Sequence, residues 1–516
     1  MSSNKDGFDS LARQDYNIKI SLKLMFMKII ITNSYRELSE KAANIFLNQL
    51  ALKPNSVFGL ATGSTPLGMY AEIARRAREY TYDFARVITF NLDEYIGLDE
   101  NHSQSCRYFM QQNFFTQVNI RPKNIFIPDG KNQALKKYCS WYERQINQNP
   151  IDLQILGIGQ NGHIGFNEPG SGFNSLTRAV NLSPSTIKAN ARFFNNQSEV
   201  PRQAVTVGVS TILKAKKTVM LASGRNKAKV VQQMIEGKPN ANCPASWLQL
   251  HPDATVILDK AAASLLTSKA VKGVKNGGSE IQILNERVTP RGKRILVVSP
   301  HHDDSAVSAG ATLAALSANN KITIAVMSAG FHAAIDALSR QQKVKTRERE
   351  ALAESRILNS KAIFNYCQFY EHGQKFWRQD LRQLDKLWRR VKPEIIILPE
   401  RRDEHPTHTL SAALVLDYLK QAKIKNIELW FYEGLWSQHL LENINLIFGF
   451  DKKLLAVKTK AIAAHRSQTA RLPLIGASQA LAQFRALTLP EQRFVTFGAR
   501  PPKLADFVEA YYREKL

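Results

Sequence analysis

Eleven histidines occur in 516 residues, and four of them fall in two short polar strings, SPHHDDSA (299–306) and PERRDEHPTHTLSA (399–412). Each string follows an apolar run, RILVV or EIIILP, that reads as a buried strand. Imidazole and carboxylate are suitable ligands for a divalent ion, and a catalytic zinc keeps three such ligands with one position open to water. Neighbouring side chains on an extended chain point in different directions, so His301, His302, Asp303 and Asp304 can supply only part of a ligand set. His405 and His408, three residues apart, can share one face of a turn or helix start and complete it.

The first half carries a different chemistry. In LGIGQNGHIGFNEPGSGF, His163 stands five residues from Glu168 in a glycine-rich loop; a carboxylate can orient such a ring for acid-base work near neutral pH. FNLDEYIGL places Asp93 and Glu94 just after the run RVITF, at the carboxyl end of a strand where open α/β sheets bind ligands. ATGSTPLGMYAEIARRA offers Gly63, Ser64 and Thr65 before Pro66 opens a helix. Small residues, hydroxyls and a helix N-terminus suit an anion. Taken singly, TGST is a common turn and Asp93-Glu94 could be a helix cap.

These residues need elements to position them. Short apolar runs alternate with stretches of helical length: MKIIIT, SVFGLATG, ARVITFNLD, LQILGIG, AVTVGV, KTVMLAS and ATVILD first, then KRILVVSP, KITIAVMSA, AIFNYCQFY, PEIIILPE and IELWFYE. Such alternation predicts βαβ units. The fold class is α/β, with two Rossmann-like three-layer domains and mainly parallel sheets. Gly-Gly, Pro and charges over 267–292 break the rhythm and mark a linker. No apolar run of about 18 residues could span a bilayer, and the opening 26 residues lack the apolar region of a secretory signal. Four widely spaced cysteines without a CxxC pair suit a reducing, cytoplasmic setting. The formal net charge of +26 is spread along the chain without a nucleic-acid motif, so it reads as a basic solvated surface.

In their order and spacing, the three strings of the first half closely resemble the glucosamine-6-phosphate deaminase (isomerase) family over about 27–265. FNLDEYIGL with GHIGFNEPG separates them from the related 6-phosphogluconolactonases. The resemblance implies conversion of glucosamine 6-phosphate and water to fructose 6-phosphate and ammonia, without metal or organic cofactor. It makes Asp93 the base that moves a proton between C2 and C1 of the open-chain sugar. It makes His163 the ring-opening catalyst, oriented by Glu168, with phosphate held by Gly63, Ser64, Thr65, Arg192 and Lys227. Asn161 stands where some members carry an aspartate, and can hydrogen-bond the ring without sharing a proton. Val180 stands where allosterically activated members carry a lysine, which argues against effector activation.

HHDDS and HPTH together resemble the LmbE/PIG-L family of zinc-dependent N-deacetylases, which act on N-acetylglucosaminyl compounds, over about 293–440 or to the C-terminus. That resemblance implies zinc, or another divalent metal, on His301, Asp304 and His408, Asp303 as general base and His405 as oxyanion stabiliser. TRERE (346–350) resembles the arginine-glutamate helix behind such a site, while His302 and Ser305 depart from the hallmark proline and glutamate. The expected organisation is a disordered extension over 1–26, a deaminase-like domain over 27–266, the linker 267–292 and a deacetylase-like domain over 293–516. The expected function is bifunctional amino-sugar catabolism on a small phosphorylated amino sugar. No nucleic-acid or membrane partner is expected, and a homo-oligomer is compatible with the sequence. An alternative keeps the deaminase and makes the second domain a metal-free binding or regulatory module.

Overall fold

The computed structural model describes residues 27–271, 281–331, 338–435, 437–493 and 505–516. The expected extension 1–26, the middle of the expected linker and the string FVTFGARPP lie outside the described residues. The chain divides into two compact units. One comprises residues up to Arg78 together with Asp83–Gly278, and the other Glu79–Tyr82 together with Ser279–Leu516.

In the first unit, ten strands are described: β1 (Lys28–Thr32), β2 (Val57–Leu60), β3 (Ile88–Asn91), β4 (Asp93–Tyr95), β5 (Ile125–Phe126), β6 (Leu153–Gly157), β7 (Arg178–Asn181), β8 (Gln203–Thr206), β9 (Thr218–Ala222) and β10 (Ala254–Asp259). Seven form one sheet in the order β1-β10-β9-β6-β2-β3-β5, with every pairing parallel. Both faces of such a sheet are covered, so its strands are apolar runs without alternation; VFGL and TVMLA are buried throughout. The three remaining strands form a small antiparallel sheet, β4-β8-β7. The runs ending in NLDEY and AVTVGV are therefore not all rungs of the parallel sheet. Asp93 opposes Thr206 in the small one.

The second unit adds β11 (Gln282–Asn285), β12 (Arg294–Ser299), β13 (Lys321–Val326), β14 (Lys361–Phe364), β15 (Ile395–Pro399), β16 (Glu428–Tyr432), β17 (Leu446–Phe450) and β18 (Phe507–Lys515). Their order is β11-β17-β18-β16-β15-β12-β13-β14, parallel apart from β18, which runs against both its neighbours. The strand β11 corrects the reading of 267–292 as linker throughout, since Gln282–Asn285 pairs with Leu446–Gly449 inside this sheet. The strands β12 and β15 are adjacent, Ile295 opposite Ile395. Their exits carry the two histidine strings, so a separation of about a hundred residues in sequence closes to neighbouring strand ends.

Candidate functional site

In the first unit β9, β6, β2 and β3 are consecutive in the sheet. The chain leaving each of them carries candidate residues, which is where parallel sheets bind ligands. Asp93 leaves β3, and its carboxylate is buried. Glu94 points the other way along the strand and is spent on structure. It accepts the backbone N–H groups of Tyr95 (2.9 Å), Cys106 (2.9 Å) and Arg107 (3.0 Å), the last two opening the helix Cys106–Asn113. Burial pushes the Asp93 carboxyl up to about 7; the Cys106 thiol works against this and the Glu94 charge adds to it.

The loop leaving β6 folds over Asp93. A Cβ placed on Gly165 would lie 3.2 Å from Asp93 Oδ2. Within the loop, Asn161 Nδ2 donates to Glu168 Oε2 at 2.7 Å, and Glu168 Oε2 lies 3.4 Å from His163 Nδ1. The Thr186 hydroxyl is 3.3 Å from the same ring nitrogen. Burial favours neutral Glu168, but His163, Thr186 and Asn161 together hold its carboxyl at about 2. Gly159 is required by close approach, because a Cβ there would stand 2.4 Å from His163 Nε2.

The anion loop leaving β2 turns at Gly63, whose φ of +102° lies in the left-handed region that favours glycine. The Tyr35 hydroxyl pins it, 3.0 Å from the carbonyls of Ser64 and Thr65 and accepting from Gly68 N–H at 2.8 Å. Lys227, beyond β9, donates to the Ile158 carbonyl at 2.6 Å. Burial, and then the charge of Arg192, bring its ammonium down to about 8. A buried lysine facing an arginine charge is an arrangement an added phosphate dianion relieves.

In the second unit His301 and Asp304 follow β12, and His405 caps the helix Pro406–Gln421 that carries His408. Asp304 Oδ2 is 3.1 Å from His301 Nδ1 and 3.2 Å from His408 Nε2. Ligand atoms on a tetrahedral zinc stand about 3.4 Å apart, close to these two separations. Ring atoms of His301, His405 and His408 also lie within 4.8 Å of one another, a rival three-histidine set. The residues that could hold a divalent ion are therefore His301 and His408 with either Asp304 or His405. Burial opposes a charged His408, yet Asp304 and then Asp403 push it up to about 10. Asp304 in turn is held well below the carboxylate range, against the effect of burial, by His408 and His301. Such mutual stabilisation is the charge pattern a cation can take over from a proton.

Asp303 stands beside this cluster with Oδ1 accepting from Arg347 Nη2 at 2.7 Å, so TRERE does reach the site through its arginine. His302 turns aside, Nε2 3.0 Å from the Tyr366 hydroxyl. Ser305 donates to Glu354 at 2.6 Å, and that carboxylate also sits 2.7 Å from His465 Nε2. The most consequential residue missed in the sequence is Asp403. Its Oδ2 accepts from His408 Nδ1 at 3.0 Å and its Oδ1 from the backbone N–H of His405 at 2.8 Å. A carboxylate five residues before a candidate ligand histidine in the same string was the available signal. Tyr35 and Cys106 carried none, because both reach their sites only through tertiary packing.

Among the described residues no helix is long and apolar enough to cross a membrane. A family model described as glucosamine-6-phosphate isomerases/6-phosphogluconolactonase matches residues 33–257, and one described as GlcNAc-PI de-N-acetylase matches 296–419. The chain is 52% identical over 250 residues to a glucosamine-6-phosphate deaminase of Thermoanaerobacter pseudethanolicus, covering 48% of this chain and 99% of that one. It is 52% identical over 241 residues to the deaminase of Halothermothrix orenii, covering 46% of this chain and all of the relative. A solved monomeric glucosamine-6-phosphate deaminase is 42% identical, with 46% of this chain and 100% of that chain covered at a TM-score of 0.45. With a relative matched along nearly its whole length, and a PIG-L domain following it, this chain belongs to the glucosamine-6-phosphate deaminase family.

Proposed function

We propose that the first unit deaminates glucosamine 6-phosphate, giving fructose 6-phosphate and ammonia. The observation that carries this is a buried carboxylate, Asp93, poised at about 7 beneath the loop that holds His163 against Glu168. A base that removes a proton from carbon needs a proton affinity near the operating pH. His163, held by Glu168 and Thr186, opens the ring. Asp93 then takes the proton from C2 and returns it to C1, converting the aminoaldehyde through its enolamine to the C2 imine. Water adds to that imine, and ammonia leaves as the ketone forms. Arg192, Lys227 and the loop of Gly63, Ser64 and Thr65 hold the phosphate. Ammonia release from glucosamine 6-phosphate, lost in Asp93→Asn, tests this reading, and its absence in wild type would overturn it.

For the second unit we infer de-N-acetylation of an N-acetylglucosamine compound, with N-acetylglucosamine 6-phosphate as the substrate that joins the two activities. His301, Asp304 and His408 would hold a divalent metal, zinc first, with Asp403 fixing the His408 ring. A bound zinc acidifies a coordinated water and polarises a carbonyl oxygen. Asp303 accepts the proton of the attacking water, Arg347 aims it through their 2.7 Å contact, and His405 is the group offered to the charge that develops on the acetyl oxygen. The proton collected by Asp303 is returned to the departing amine. Acetate release by metal-replete protein is the expected result. Protein that binds zinc yet releases no acetate from this substrate would remove the substrate assignment.

A further inference from the structure

Asp93 is a buried carboxylate of the proposed deaminase site, and its surroundings raise a question of supply. A buried carboxylate ordinarily recruits backbone amides or cations. The helix Cys106–Asn113 brings up the thiol of its first residue, but its first two N–H groups, those of Cys106 and Arg107, are taken by Glu94. Among the described contacts, one donor reaches the Asp93 side chain: the Cys106 thiol, with Sγ 3.5 Å from Oδ1. The same sulfur lies 3.5 Å from the Thr62 hydroxyl. Thr62 precedes Gly63, Ser64 and Thr65 in the anion loop. The three groups form a chain from the loop read as the phosphate cradle to the carboxylate read as the base.

We propose that Cys106 is a positioning residue for the deaminase reaction, its thiol aiming Asp93 Oδ1 and coupling it through Thr62 to the anion loop. The proposal rests on the deaminase reading and deepens it. Burial keeps the thiol protonated, since its proton affinity is raised well above that of a free cysteine by burial and by the charges of Glu94 and Asp93. The S–H therefore points to Asp93, and the Thr62 O–H is left to donate to sulfur. Among the side-chain donors a thiol is weak. It can orient a carboxylate without stabilising its charge enough to abolish its basicity, whereas an amide or a cation in its place would. That is consistent with the poise of Asp93 near 7 despite a hydrogen bond.

The other groups around Asp93 do not substitute for the thiol. Glu94 adjoins it on β4 and adds like charge. Tyr95, and Tyr142 from the helix Leu135–Gln148, are kept neutral by burial. Arg107 acts electrostatically on Glu94, and β8 presents the uncharged Thr206. Cys106 itself is 4% exposed, so it acts through this contact and not as a reactive thiol.

The test is the pH profile of kcat/KM for ammonia release in wild type, Cys106→Ala, Cys106→Ser and Thr62→Val. Losing the donor destabilises the ionised base, so Cys106→Ala should move the acid limb up by about half to one pH unit, which is about threefold to tenfold at a pH below the limb. Cys106→Ser restores a stronger donor and should move the limb below that of wild type. Thr62→Val should shift it upward by less. KM for glucosamine 6-phosphate should stay within about twofold in the two Cys106 variants, a split that general loosening of the site would not give. Superposable acid limbs in wild type and Cys106→Ser overturn the proposal, even if Cys106→Ala fails to fold. Should wild type release no ammonia, the deaminase reading fails by itself. The thiol contact is then judged by infrared titration of the Asp93 carboxyl, referenced to Asp93→Asn, where equal midpoints in wild type and Cys106→Ser overturn it.

Discussion

Both units place carboxylates beside a histidine at the carboxyl edge of a parallel sheet, yet their electrostatics run in opposite directions. In the first, no cation among the described residues pairs with Asp93, and burial raises it to about 7. In the second, Asp304 is driven well below its ordinary range because two histidines share its Oδ2. The histidine-carboxylate pair of the first unit follows the second pattern, with Glu168 held at about 2. Burial alone therefore does not decide the state of a carboxylate; the nearest cation does. An isolated buried carboxylate keeps a proton affinity suited to a base, and one flanked by imidazoles is held as an anion, suited to a ligand or an orienting role.

The largest effect that would sharpen this contrast is Asp93→Asn, which should lower ammonia release by about a thousandfold or more while leaving acetate release unchanged. The same substitution should raise Tm at about pH 8 and have little effect at about pH 4. The folded pKa of Asp93 lies above its unfolded value of about 3.9, so stability is lost as pH rises through that window, and asparagine carries no such loss. Next is His408→Ala: zinc content and acetate release should fall by about a hundredfold, with ammonia release intact. If zinc content does not change, the second unit is the metal-free module and the contrast breaks.

Asp403→Asn should weaken zinc affinity by about tenfold to a hundredfold, the usual cost of losing a carboxylate that orients a ligating histidine, read by competition with a chromophoric chelator. Gly159→Ala should lower kcat for ammonia release by about tenfold, because the new methyl would push the His163 ring aside. The smallest effect is in wild type. Between about pH 6 and pH 8 ammonia release should rise as Asp93 ionises, whereas acetate release should not follow that midpoint.

The α/β class, the apolar strands and the sheet-end placement of both polar strings were legible from residue types, because a parallel strand buried on both faces must be an apolar run and its polar exit must face solvent or ligand. The separation of Asp93 from Glu94 was not legible. Adjacent carboxylates look alike in a string, and only the arrival of the helix Cys106–Asn113 adds two amides to the Tyr95 N–H that Glu94 already accepts and leaves Asp93 with a thiol. Nor was β11, since QILN is too short to be told from linker until β17 supplies its partner.

By itself the amino-acid sequence determined which chemistries this chain can hold: a glycine-rich histidine loop, an anion turn and two histidine strings, each written locally. Tertiary structure alone decided how those groups are tuned, through the donor that reaches Asp93, the carboxylate that turns His408 and the arginine that reaches Asp303. Ligand type is a property of a residue, whereas proton affinity depends on the charges and donors that packing brings within a few ångströms.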